Sequence, residues 1–252
     1  MIELWTPAWT RTPRGVRAAA STRAGGVSDG PFASLNLSPS TGDAPEAVAE
    51  NRRRFAAAVG FRLERTAVPR QVHGDAVAVV DAAGRLEAQD VDALATSSRD
   101  VALVAGFADC VPVFLASEDG RVVGLAHAGW RGAVAGVARR LVETLAARFD
   151  APPRSLCAAF GPSIGPCCFE TGPDVAARFA ATTPEAVDGR RVDLRRFLAA
   201  ELAALGVPGA PPTPPCTRCE SDRFFSHRAA GGGPAGRFWA TIVRDGSSSA
   251  AS

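Results

Sequence analysis

The sequence predicts an α/β protein, a layered α+β arrangement with a mixed sheet flanked by helices. Three observations carry that expectation. Short β-rich runs and amphipathic helical stretches are interleaved, without the regular βαβ alternation of a doubly wound sheet. Residues 101–115 are almost continuously apolar, as strands buried on both faces require. The chain has 252 residues, 46% hydrophobic and 21% charged; a chain of that length buries about 70–75% of its unfolded surface and needs no staples. A single catalytic domain is expected over residues 1–245. The small polar residues at 246–252 are expected to form a disordered tail.

Taken in order, Asp43-Ala-Pro-Glu46 has the spacing of a capping box. The helix it would open places Val48, Phe55 and Val59 on one face and stops at Gly60. Strands are expected at 76–80, 101–106, 111–115 and 122–126. A second helix spans 133–148, with Val134, Val137, Leu141 and Leu145 on one stripe. A strand at 155–160 leads into the loop Gly161-Pro-Ser-Ile-Gly-Pro-Cys-Cys168. Asp193 caps a third helix, which points Leu194, Phe197, Leu198, Leu202 and Leu205 inward and stops at Gly206. A Pro-rich connector over 206–215 precedes a final strand at 237–244.

Composition narrows the function. A net charge of +2 gives no reason to expect nucleic acid or an anionic membrane as partner. No stretch approaches the roughly 20 apolar residues of a membrane span, and residues 1–15 lack the apolar run of a signal peptide. The six cysteines are irregularly placed in a chain too large to be a disulfide scaffold, so a reduced cytoplasmic setting is expected. All 28 basic residues are arginine. Schiff-base lysines and Walker-type phosphate loops are therefore excluded, and an anion must be held by Arg, backbone N–H groups or a metal. Tyrosine is absent too, so no phenol can act as acid or radical.

The three histidines are His73, His127 and His227. His73 precedes a strand in Gln71-Val-His-Gly-Asp75, and His127 lies between a strand and a helix in His127-Ala-Gly-Trp-Arg-Gly132. Cys110 interrupts an apolar run in Ala108-Asp-Cys-Val-Pro112. Two imidazoles and a thiolate suit Zn²⁺, with a fourth position open. Two other readings fit the same residues: hydrogen-bonded histidines beside a core cysteine, or a metal-free Cys–His hydrolase or transferase with Cys110 as nucleophile and Asp109 as orienter. Pro215-Cys-Thr-Arg-Cys219 contains a CxxC, but no second CxxC accompanies it, and two loop cysteines are the preferred reading. Anion binding could use Arg131, just ahead of the second helix, or the segment Ser21-Thr-Arg-Ala-Gly-Gly26, which supplies Ser21 and Arg23.

Eight segments, in order, resemble one family: Ser-Thr-Arg-x-Gly-Gly-Val-Ser (21–28), Ser-Leu-Asn-Leu (34–37), Glu-Asn-Arg (50–52), Gln-Val-His-Gly (71–74), Ala-Asp-Cys-x-Pro-Val (108–113), His-Ala-Gly-Trp-Arg-Gly (127–132), Gly-Pro-x-Ile-Gly-Pro (161–166) and Phe-Phe-Ser-x-Arg (224–228). This is the laccase-domain, or polyphenol oxidoreductase, family, also described as purine nucleoside phosphorylases with adenosine deaminase activity and as peptidoglycan editing factors. The resemblance implies a zinc at His73, Cys110 and His127; the older laccase label implies copper. It also implies phosphorolysis of adenosine, inosine, guanosine and 5′-methylthioadenosine, with deamination of adenosine, so that purine nucleosides and phosphate are the expected partners. Alternatives are an editing hydrolase of peptidoglycan precursors using the same site, or a copper-dependent polyphenol oxidase. Three histidines cannot build the several copper sites of a true multicopper oxidase. Within this frame Asp109, Cys110 and Arg131 are the catalytic candidates, and Ser21, Arg23, Asn36 and Arg228 the candidates for holding substrate or phosphate. Phe107 stands where the family usually has Thr, His227 where it has Tyr, and Ser40-Thr41 where His-Val is common; these departures bear on substrate fit and on the contacts behind the metal ligands.

Overall fold

Burial on both sides, anticipated for 101–115, follows from two sheets lying face to face. The computed structural model describes residues 1–245; the tail expected at 246–252 lies outside them. In chain order the first elements are β1 (Leu4–Trp5), β2 (Val16–Ser21), α1 (Pro45–Val59), β3 (Thr66–Ala67), β4 (Val77–Val79) and β5 (Ala93–Thr96). The centre of the chain forms β6 (Ala102–Phe107), β7 (Val111–Ser117), β8 (Val123–Ala128), α2 (Trp130–Ala135) and α3 (Val137–Phe149). Then follow β9 (Leu156–Phe160), α4 (Pro173–Ala180), the short pair β10 (Val187–Asp188) and β11 (Arg191–Val192), α5 (Leu194–Ala204) and β12 (Phe238–Arg244).

The first sheet has the order β1-β2-β12-β6-β3 and the second β4-β5-β8-β7-β9. Each is mixed, with one parallel pair at an edge: β3 with β6 and β4 with β5. Leu103, Phe107, Phe238 and Ile242 of the first sheet pack against Leu94, Phe114, Val123 and Leu125 of the second. Helices cover the two outer faces. On the first sheet, Phe55 and Ala56 of α1 meet Val104, Trp239 and Val243. On the second, Leu141 and Leu145 of α3 and Leu198 and Leu202 of α5 share a core with Val113, Leu115 and Ala126. Alternate side chains of β7 and β8 thus enter two different apolar layers, and every residue of both strands is buried.

The α/β class and the helix-flanked mixed-sheet arrangement hold, with two five-stranded sheets in place of the one expected and with particular corrections. The capping box does not form: Ala44 is the residue before α1, without a side-chain cap. Asp43 instead accepts from the Ser28 hydroxyl at 2.6 Å and the Asn36 amide at 2.9 Å, tertiary partners that compete with the helix end. The second helix starts three residues earlier than expected and is broken at Gly136, whose φ of 92° is left-handed and separates α2 from α3. The Asp193 cap forms, its carboxylate accepting from the N–H groups of Arg195 and Arg196. Unanticipated strands β2 and β5 are rich in alanine, a helix former, and are strands because each lies between two partners in a sheet.

Candidate metal centre

Site residues gather at strand ends where the two sheets meet. His127 is on β8, Cys110 immediately precedes β7, and His73 lies in the connection from β3 to β4. One donor atom from each lies within 4.8 Å of the others, and the two imidazole centroids are 4.9 Å apart. His127 is 3% exposed, Cys110 is half-buried and His73 is exposed. The group therefore reaches from the interior to the surface.

Asp92, which the sequence reading missed, holds this group together. Its buried carboxylate accepts from the N–H groups of Val72 (3.1 Å), His73 (3.0 Å) and Gly74 (2.7 Å). His127 Nδ1 approaches the same carboxylate at 2.8 Å, and the His127 N–H donates to the Asp92 carbonyl at 2.7 Å. Three convergent amides hold His73 at φ 61°, a left-handed conformation that costs a non-glycine residue about 1–3 kcal/mol and persists only where its surroundings enforce it. The Nδ1 contact fixes the His127 ring and leaves Nε2 as its free donor, the usual way a carboxylate orients a metal-binding imidazole. The signal available in sequence was Asp90-Val-Asp92 at the start of a strand, indistinguishable there from a turn.

Electrostatics reinforce the arrangement. Burial pushes the Asp92 carboxyl up, but the His127 hydrogen bond and the amides of Gly74 and Val72 hold it below the ordinary range. Burial likewise pushes the Cys110 thiol up, yet the charge and hydrogen bond of His127 and the His73 contact bring it to about 6. Burial lowers His127, but the Cys110 thiolate and Asp92 raise it to about 9. Each member of the pair thus favours the charged form of the other. A soft thiolate and two imidazoles fit Zn²⁺ and also tolerate copper. Space fits as well. A Cβ on Gly129 would stand 2.9 Å from His73 Cδ2 and 3.0 Å from Cys110 Sγ, so only glycine passes beside the ligands.

The group opens into a cleft of about 1100 Å³. Three arginines in its wall lie on aromatic rings: Arg52 on Trp239 (4.6 Å), Arg131 on Trp130 (4.5 Å) and Arg228 on Phe169 (5.5 Å). None of the three forms an ion pair among the described residues. Arg237 also lines the cleft, where burial lowers the pKa of its guanidinium against the raising effect of Cys110 and Asp109.

The expected site residues divide in two. Asp109, Cys110, Arg131 and Arg228 line the cleft with His73 and His127. Asp109, at φ 91°, has both carboxylate oxygens engaged, one by the Thr217 hydroxyl at 2.6 Å and the other by the Arg228 N–H at 2.7 Å. Ser21, Arg23 and Asn36 are not brought to the cleft wall. The Arg23 guanidinium donates to the carbonyls of Ala33 and Ser221 and lies over Phe225. Asn36 ties Ser38, Thr41 and Asp43 together and accepts from the Arg237 N–H. The buried Ser21 hydroxyl accepts from the Trp239 N–H at 3.3 Å. These three brace the loops behind the wall. Of the departures, Phe107 is buried between His127 and Phe238, whereas Ser40 and His227 line the cleft.

A family model described as multi-copper polyphenol oxidoreductase laccase matches residues 17–245. The chain belongs to this family. Among laccase-family relatives, the purine nucleoside phosphorylase YlmD of Geobacillus stearothermophilus is 39% identical over 249 residues, covering 91% of this chain and 90% of that one. The purine nucleoside phosphorylase of Deinococcus radiodurans is 43% identical over 229 residues, covering 89% and 87%. The crystal structure of the Geobacillus YlmD aligns with a TM-score of 0.83 at 36% identity, over 94% of this chain and 96% of that one. That of the Bacillus licheniformis hypothetical protein YfiH gives 0.85 at 30%, over 90% and 92%. No helix among the described residues is long and apolar enough to cross a membrane.

Proposed function

We propose that this chain is a zinc-dependent purine nucleoside phosphorylase taking adenosine, inosine, guanosine and 5′-methylthioadenosine, and that it also deaminates adenosine. The observation that carries the reading is the juxtaposition of the His73, Cys110 and His127 group with a cleft holding arginines over aromatic rings. Relatives at 39% and 43% identity are named purine nucleoside phosphorylases, which supports the phosphorylase part of the reading. His73, Cys110 and His127 would hold the metal. When bound, it supplies Lewis acidity with a coordination position left for substrate.

The rest is work for side chains. Phosphorolysis requires a dianion to be held beside an anomeric carbon that gains positive charge as the purine leaves. Stacking orients a guanidinium fork at a gain of about 0.5–1 kcal/mol at an exposed site while its N–H donors stay free to bind two phosphate oxygens. Arg131, over Trp130, is assigned this role; Arg237, oriented instead by the Ala235 and Gly236 carbonyls that accept from its Nη1, is assigned to the same anion, with Arg52 and Arg228 completing a cationic wall. The departing base needs a proton. Because Asp109 has both oxygens occupied, we assign it to positioning the Arg228 segment, and the acid to Glu170 or His227 of the same wall.

The test is base release from adenosine and inosine by zinc-loaded protein, with and without phosphate. The expected result is free base and ribose 1-phosphate only when phosphate is present, and inosine formed from adenosine in either buffer. Equal base release without phosphate would make the protein a hydrolase. No reaction with any nucleoside would leave the peptidoglycan-editing alternative.

A further inference from the structure

A second group of metal-binding side chains lies outside the His–Cys–His site. The loop after β9 brings up Cys167 and Cys168, and the segment after the Pro-rich connector brings up Cys216 and Cys219. All four sulfurs lie within 4.8 Å of one another. Cys167 Sγ is 3.6 Å and Cys168 Sγ 3.4 Å from Cys219 Sγ. A disulfide needs about 2.05 Å. Four sulfurs each about 2.3 Å from one zinc stand about 3.8 Å apart. The observed spacing is close to that of a tetrathiolate cage and far from that of a bond.

The backbone is shaped for the same purpose. The Gly165 N–H donates to Cys216 Sγ at 3.2 Å, as amides do toward a metal-bound thiolate. Ser163 and Cys216 form a parallel bridge, with the Ser163 N–H on the Pro215 carbonyl and the Thr217 N–H on the Ser163 carbonyl. Both cysteine pairs follow a proline, Pro166-Cys-Cys and Pro215-Cys-Thr-Arg-Cys. A Cβ on Gly165 would stand 3.2 Å from Cys167 Sγ and 3.4 Å from Cys216 Cβ, so a side chain there would crowd the cage.

We propose that Cys167, Cys168, Cys216 and Cys219 form a structural tetrathiolate site for Zn²⁺, separate from the cleft metal and closed to substrate. On binding, four thiols release their protons to solvent and each sulfur donates one lone pair. The resulting charge of −2 is partly offset by Arg218, whose guanidinium faces Cys168. The site clamps two segments of the cleft wall. Phe169, Glu170 and Thr171 follow Cys168 directly and line the cleft, while Thr217, between the other two cysteines, holds Asp109. Arg228 closes the clamp from the third side by donating to the carbonyls of Cys168 and Glu170.

The proposal is independent of the reaction catalysed, and its test reads metal rather than turnover. Full-length protein, purified reduced and without chelator, should contain two zinc ions per chain. The C216S/C219S pair should contain one, still held by His73, Cys110 and His127. In case that pair fails to fold, the H73A/H127A variant provides the reciprocal measurement. It should keep one ion and, after exchange with Co²⁺ alone, show the visible absorption of cobalt bound by four thiolates. A single zinc in the parent chain, unchanged in C216S/C219S, would overturn the proposal. So would all four thiols reacting freely with a thiol reagent in native protein, a disulfide between any two of them in the reduced preparation, or an H73A/H127A variant that takes up no cobalt.

Discussion

The group at His73, Cys110 and His127 and the group at Cys167, Cys168, Cys216 and Cys219 both bring metal-binding atoms within 4.8 Å, yet they are built differently. The first has one member on a buried strand, His127 of β8, and one immediately before another, Cys110 ahead of β7, with Asp92 fixing His127 and the His73 turn from behind. It has three donors and opens into a cleft of about 1100 Å³. The second stands on loops, has four like donors, and two of its cysteines are exposed. An open position beside a rigid wall suits chemistry; a complete soft shell suits holding two loops together. The difference between the groups is thus one of support and saturation.

Breaking the first group should have the largest effect. C110A or H127A should remove the cleft metal and lower base release by about 1000-fold or more, some 4 kcal/mol of transition-state stabilisation. Metal analysis and nucleoside assays on folded protein check this; normal turnover in a metal-free C110A variant would end the distinction between an open and a closed site.

Next in size are the arginines of the cleft. R131A and R237A should each reduce phosphorolysis by about 30- to 1000-fold, with metal retained, since each would remove a charge-assisted contact to phosphate. R23A serves as the contrast. Its guanidinium holds the Ala33 and Ser221 carbonyls away from the cleft, so it should lower thermal stability and leave the phosphate dependence of the remaining activity unchanged. Phosphate titrations of the three variants, with melting curves, separate binding from bracing.

That contrast indicates what could be read without coordinates. Cys110 drew notice because it interrupts an apolar run, and His73 and His127 because histidine is scarce in this chain; the residues alone left structural and Cys–His readings open, and only the family resemblance favoured a metal. Arg131 and Arg228 stand in motifs that the fold brings to the cleft wall. Arg23 and Asn36 stand in motifs just as distinctive, but those motifs encode loop architecture, and sequence alone cannot tell a brace from a contact. Asp92 was invisible because its partners are three amides and an imidazole 35 residues away. The four cysteines were in view all along, but their meeting depends on the path of about 50 residues through α4, β10, β11 and α5. Alanine-rich β2 and β5 were hidden for a related reason: their strand character comes from neighbours on both sides rather than from their own residues.

A smaller change sharpens the role of support. D92N keeps the shape of Asp92 but removes the charge that orients His127 and holds the His73 turn. Losing a carboxylate behind a metal ligand costs about 10- to 100-fold in metal affinity. Competition with a chelator should show that weakening at the cleft site, while the tetrathiolate cobalt signal stays constant. Equal weakening at both sites would mean that the two groups are coupled through the fold and that the separation drawn between them is false.

The smallest effect concerns a perturbed group that belongs to neither cluster. Glu201 of α5 is largely buried; one carboxylate oxygen meets Arg139 Nη2 at 3.3 Å and the other has no hydrogen-bond partner among the described residues. Burial raises its pKa, although Arg139 opposes the shift. The sign follows from linkage: the folded state holds this proton more tightly than the unfolded chain does, so Glu201's contribution to stability falls as pH rises from the ordinary glutamate value toward the raised one. Above that range the buried charge is a constant cost. E201Q should therefore stabilise the protein at neutral pH by up to about 1 kcal/mol, with the gain shrinking as pH falls from the raised value to the ordinary glutamate range. Denaturation at several pH values measures it, and a gain that grows on acidification would reverse the assignment. Neither metal count nor phosphorolysis should change. A perturbed carboxylate under a helix is a packing cost; only convergence with other donors, at an opening where a substrate fits, makes such a group part of a site.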